Sequence, residues 1–93
     1  MRRAARTDGP HAAIREALRR QGWYVRDLSR VGGGWPDLLA AKDGGIRLIE
    51  VKDGQLSPSR RRLTADEARV HAALHAHGVA VWIVESVDEV LGW

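Results

Sequence analysis

Apolar residues recur at helical spacing early in the chain, where Ile14, Ala17 and Leu18 make one stripe that runs to Gln21. Asp8 ahead of Pro10 gives a helix start and Gly22 a left-handed stop. Residues 23–28 are aromatic and β-branched enough for a strand, and 29–34, ending in three glycines, read as a loop. Two short apolar runs follow, 35–42 and 46–52, separated by Asp43, Gly44 and Gly45, which predicts a β-hairpin. After a polar stretch at 53–63, Thr64 with Glu67 three residues later forms a capping box for a second helix, which runs through Val70 and Leu74 to Gly78. Residues 79–84 are almost uniformly apolar, as expected of a strand covered on both faces. Ser86 and Glu89 repeat the capping pattern for a short last helix ending near Gly92. The predicted order is αβββαβ with a short C-terminal helix, an α/β fold. The strand–helix–strand passage at its end places the last strand parallel to the third in a mixed sheet flanked by helices.

The 93 residues suffice for one domain, 1–93, with residues 1–8 read as a flexible basic N-terminal segment. With no cysteine, disulfide scaffolds, thiolate zinc sites and cysteine nucleophiles are excluded. The N-terminus lacks an apolar leader and no long apolar run occurs, so a soluble cytoplasmic protein is expected, not a membrane one.

Charge is uneven: residues 1–30 carry +5 net, 31–56 carry −1, 57–69 carry +2 and 70–93 carry −3. Thirteen of the fifteen basic residues are Arg, whose planar guanidinium holds two phosphate oxygens at once. Arg15 and Arg19 fall off the apolar stripe of the first helix, and Arg60, Arg61 and Arg62 crowd the polar stretch. These five are candidate nucleic-acid contacts, with Gly33 and Gly34 as a place where a DNA backbone could come close.

The hairpin supports a geometric argument about the acidic centre. With Asp43 and Gly44 as the turn, Asp37 lies opposite Glu50; with Gly44 and Gly45, it lies opposite Lys52 with Glu50 on the diagonal. Either register brings Asp37, Glu50 and Lys52 to one face, because residues two apart on a strand point the same way. A one-residue slip would send Asp37 to the other side. Two facing carboxylates resist joint ionisation unless a cation lies between them, and oxygen-only ligation suits Mg²⁺ or Mn²⁺. Phosphodiester hydrolysis needs such a metal and a nearby cation like Lys52. Against these stand plainer readings: an ordinary cross-strand ion pair between Glu50 and Lys52, and Trp23, Trp35, Trp82 and Trp93 as core or interface. Glu67, His71 and His75 stand at successive i, i+4 positions but lack an HExxH pattern, which favours surface or partly buried histidines over a metal site.

The segment Gly34-Trp35-Pro36-Asp37, then Leu48-Ile49-Glu50-Val51-Lys52, then a capped helix after a basic loop, resembles the virus-type replication-repair nuclease (VRR-NUC) family of the PD-(D/E)xK superfamily. The likeness spans nearly the whole chain and is strongest to small stand-alone phage members. It implies the PD-(D/E)xK core fold and cleavage of duplex, branched or four-way-junction DNA with Mg²⁺ or Mn²⁺. It also implies Asp37, Glu50 and the Val51 main-chain carbonyl as metal ligands and Lys52 as the residue that positions water or balances charge. Family members often carry a helix-one glutamate where Ala13 stands here, leaving Glu16 as the acid on that helix. Where they often carry a glutamine near the start of the second helix, Glu67 and Ala68 stand. Concerted cutting of two strands, as in related junction resolvases, would need a homodimer, in a bacterial or phage-infected cell. The competing reading is a catalytically degenerate DNA-binding accessory with the same fold, and a plain interaction domain is the third.

Overall fold

The computed structural model describes residues 10–93; Asp8 and the basic segment 1–8 lie outside them. The elements are α1 (His11–Arg20), β1 (Tyr24–Asp27), β2 (Leu38–Lys42), β3 (Gly45–Val51), α2 (Ala65–Ala76) and β4 (Val81–Val84). Short 3-10 turns at Pro58–Arg61 and Val87–Val90 stand before α2 and after β4. The second of these occupies the place of the expected last helix, since four residues close only one tight turn. The strands are ordered β1-β2-β3-β4, antiparallel except for the parallel β3–β4 pair, whose connection carries α2. Among the described residues no helix is long and apolar enough to cross a membrane.

The hairpin resolves to the first of the two registers, with Lys42 opposite Gly45 and Leu38 opposite Ile49. Asp43 at φ 51° and Gly44 at φ 82° form its turn, and two consecutive positive-φ residues match the right-handed twist of the strands they join. Trp35 to Asp37 precede β2 instead of belonging to it, so Asp37 enters the sheet from a bend.

Strand alternation divides the sheet into two unlike faces. Val25, Leu38, Ala40, Ile49 and Val84 face α1, where Ile14 and Leu18 meet them at zero exposure. Val90 closes that core from the last 3-10 turn, and the Gln21 side chain ties the turn to α1 by donating to the Val90 carbonyl at 2.8 Å. Arg47, on the same face, lies over three indoles, with its guanidinium carbon 4.2 Å from the Trp93 ring centre, 4.4 Å from Trp82 and 5.4 Å from Trp23. Trp93→Ala is expected to cost about 1–2 kcal/mol in urea unfolding, less than a fully buried Trp because Trp93 is only half-buried. Arg47→Met, which keeps the aliphatic stem, should recover the packing and lose only the cation–π share.

The other face is thinly covered. α2 buries no residue completely and meets the sheet through the half-buried stripe Glu67, Val70, His71 and Leu74. Tyr24 and Ile46 beyond it are exposed. β4 also departs from its sequence expectation: it lies at the sheet edge, with Trp82 at 44% and Ile83 at 46% exposure. A continuous apolar run implies cover on both faces only where a neighbour exists on each side, and β4 has one strand neighbour and a partial helix.

Candidate active site

Four elements bring their ends together on the α2 side of the sheet. The register that pairs Leu38 with Ile49 sets Asp37 across from Glu50. The Asp37 carbonyl accepts from the Leu28 N–H at 2.7 Å, and its Oδ2 accepts from the Val51 N–H at 2.8 Å. Asp37 is thereby held by both neighbouring strands although it precedes β2. Glu50 is 1% exposed. Lys52 follows just past β3, its N–H donating to the Val84 carbonyl at 3.0 Å, which fixes its backbone against β4.

Burial, the hydrogen bond with Asp37 and the charges of Asp37 and Glu67 together push the Glu50 carboxyl up to about 9, with Lys52 opposing them. The pair cannot be doubly ionised at neutral pH without a further cation. Among the described residues no three His, Cys, Asp or Glu side chains converge into a ready-made metal cage. The side chains here that could hold a divalent ion are the two facing carboxylates, Asp37 and Glu50. Such sparse protein ligation is usual for Mg²⁺.

Two further side chains complete the cluster. Lys52 Nζ donates to Glu67 Oε1 at 2.7 Å, and the same oxygen accepts from the Thr64 N–H at 2.9 Å within a complete capping box. Burial would raise the Glu67 carboxyl, but these hydrogen bonds and the Lys52 charge hold it below its ordinary value. His71 Nε2 lies 3.3 Å from Glu50 Oε1. Burial lowers this imidazole against the pull of Glu67. With His71 neutral and Glu50 protonated, the contact is a hydrogen bond between uncharged groups, not an ion pair. The sequence reading makes Glu67 a helix cap and His71 a surface or partly buried histidine; their i, i+4 spacing is visible in it, but not that the stripe they share with Val70 and Leu74 faces Glu50 and Lys52.

The other candidates are dispersed. Glu16 is exposed on α1, and among the described residues no hydrogen bond or ion pair joins it to the cluster. Arg15 bonds to Asp27 at 3.3 Å and Arg19 to the Val25 carbonyl at 3.2 Å, both against the α1 face of the sheet, away from Glu50. Arg61 is paired with Glu85 at 2.8 Å, while Arg60 and Arg62 are exposed. Gly33 is open around its Cα, but the space a side chain would need at Gly34 is filled by the backbone of Asp66 and Glu67. Gly34 thus admits the first turn of α2.

Comparison with protein-family models and with curated proteins gives no match. Among solved structures the chain is similar to one described as a VRR_NUC domain, with a TM-score of 0.64 and 26% identity, covering 88% of this chain and 90% of that one. The likeness runs through nearly the whole of both chains, and with the mixed four-stranded sheet and its flanking helices it supports the VRR-NUC family and a PD-(D/E)xK-like fold for this chain.

Proposed function

We propose that the chain is a divalent-metal-dependent endodeoxyribonuclease acting on branched, four-way-junction or duplex DNA. The observation that carries this reading is the buried Glu50 carboxyl facing the half-buried Asp37, with Lys52 close enough to oppose the rise in its pKa. A bound Mg²⁺ or Mn²⁺ would supply Lewis-acid polarisation of the phosphate and lower the pKa of water. Asp37, Glu50 and the Val51 carbonyl would hold it, and Lys52 would balance charge on the phosphoryl oxygens. The test is a gel assay on labelled single-strand, duplex, nicked, flap and four-way-junction DNA with Mg²⁺, Mn²⁺ or EDTA, alongside Asp37→Ala. Metal-dependent products absent from the variant support the proposal, and products that persist in it would remove it.

Concerted cutting of two strands calls for a homodimer, and the exposed Tyr24 and Ile46 on the site face are apolar surface that a second copy could cover. Sedimentation of the same sample reads this directly, with a monomer at assay concentration counting against it.

Arg60 and Arg62, exposed while Arg61 is paired with Glu85, would be the arginines of this segment that grip phosphates. The double variant Arg60→Ala/Arg62→Ala is expected to weaken DNA binding on every sequence and to reduce the slope of log affinity against log salt by about 2. An unchanged slope would remove both arginines from the interface.

The placement of Glu16 favours the second reading, a DNA-binding accessory, because α1 contributes no acid to the pair. Lys52→Ala separates the two: cleavage lost with binding retained supports the enzyme, and wild-type binding without cleavage supports the accessory.

A further inference from the structure

Glu67 and His71 lie one helical turn apart, about 6 Å along the axis, and Glu50 and Lys52 lie two strand residues apart, about 6.6 Å. The two repeats match, so α2 running alongside β3 sets Glu67 on Lys52 at 2.7 Å and His71 on Glu50 at 3.3 Å at the same time. A helix stripe meant only for packing would carry apolar residues at 67 and 71, as it does at Val70 and Leu74. The polar pair spends half of that stripe on the two charged positions of the motif.

We propose that Glu67 and His71 are positioning residues, a two-point clamp by which α2 holds the Lys52 ammonium and the Glu50 carboxylate in the orientation the site uses. This rests on the nuclease reading for Lys52, and on divalent-ion binding for Glu50. A free lysine spreads its charge over many rotamers. Glu67 Oε1 restricts it, and that oxygen is itself pinned by the Thr64 N–H at the helix start. At Glu50 the imidazole faces one carboxylate oxygen, Oε1, and with a metal on the acid the Nε2–H tautomer donates to it. Hydrogen-bond partners behind a ligating carboxylate fix its direction, and losing one costs about 10–100-fold in metal affinity or activity.

The experiment measures Mn²⁺ affinity by titration calorimetry and kcat and KM on a cleavable DNA for wild type and five variants. His71→Ala should weaken Mn²⁺ at least about 10-fold, and His71→Gln, whose amide nitrogen reaches the place of Nε2, should recover most of it. Glu67→Ala should lower kcat about 10-fold or more with KM little changed, and Glu67→Gln, which keeps an oxygen acceptor, should fall between. Thr64→Ala removes the hydroxyl half of the capping box but keeps the main-chain N–H on Glu67, and should lower kcat much less than Glu67→Ala does. If Thr64→Ala reproduces the loss in Glu67→Ala, the role of Glu67 is capping alone and the clamp is overturned at Lys52. Mn²⁺ affinity within twofold of wild type in His71→Ala, or no recovery in His71→Gln, overturns it at Glu50. A wild type that binds Mn²⁺ through His71 yet cuts no DNA leaves that half of the clamp standing and removes the nuclease reading; one that cuts while ignoring both residues does the reverse.

Discussion

Glu50→Gln is expected to abolish cleavage, by at least about 10³-fold, while leaving the metal-free protein no less stable than wild type and more stable at alkaline pH. Removing a buried carboxylate from an ion pair normally destabilises a fold. Here the carboxyl is pushed up to about 9 by burial and by Asp37 and Glu67, so the folded metal-free protein already holds it as the acid, which glutamine imitates in shape. The sign follows from linkage. A group raised above its unfolded value of 4.5 contributes stability that is fully present below that value and is lost as pH climbs through its folded value. Metal-free wild type should therefore lose stability between pH 4.5 and about 9, at up to about 1.4 kcal/mol per pH unit. The variant should not. His71 acts on the other side: its lowered imidazole contributes stability present above its ordinary 6.5 and lost as pH falls through the folded value. Added Mn²⁺ should stabilise wild type progressively more toward alkaline pH, as the cation takes the place of the proton, and should not stabilise the variant. Urea unfolding at four pH values with and without Mn²⁺ checks this. A flat wild-type profile, or cleavage surviving in the variant within tenfold, would remove Glu50 from the site.

Gly34→Ala is the second large effect, expected at about 2–5 kcal/mol of stability, with disordering of the start of α2. Two costs combine. The backbone sits at φ 89°, a left-handed conformation that costs an L-residue about 1–2 kcal/mol. A methyl group there would also press on the main chain of Asp66 and into contact with the Glu67 nitrogen at 2.8 Å, and rigid backbone cannot give way as a side-chain tip can. Gly33→Ala is the control. Its φ is 65° but nothing lies near its Cα, so only the conformational cost of about 1–2 kcal/mol remains. Denaturation midpoints of the two variants decide the matter: equal losses would mean that the close approach to α2 is not a constraint. Because the helix start also holds Glu67 on Lys52, Gly34→Ala should cost activity at temperatures where the protein is still folded.

Much of this architecture is legible in local patterns. Periodicity at Ile14 and Leu18, the capping box at Thr64 and Glu67, and the Asp-Gly turn each act through neighbours within a few residues, and each forms as read. Asp37, Glu50 and Lys52 were legible for the same reason, since a two-residue turn transmits register along both strands. The second of the two registers was excluded only by the fold, through the positive φ of Asp43 and Gly44. The reading of the basic residues carried less far, because a guanidinium reaches whatever lies near it in space. Arg15, Arg19 and Arg61 proved to be engaged by Asp27, Val25 and Glu85, partners that chain spacing does not reveal.

What the sequence by itself determined is the set of elements, their order, and an acidic pair with a lysine on one face of a hairpin, all consequences of strand and helix periods. What only the tertiary structure decided is what lies across from that face. The docking of α2 on β3 brings Glu67 to Lys52 and His71 to Glu50, consumes the space at Gly34, and leaves Glu16 outside. The physical reason is that contacts between elements far apart in the chain depend on the packing of whole faces, which no local period encodes.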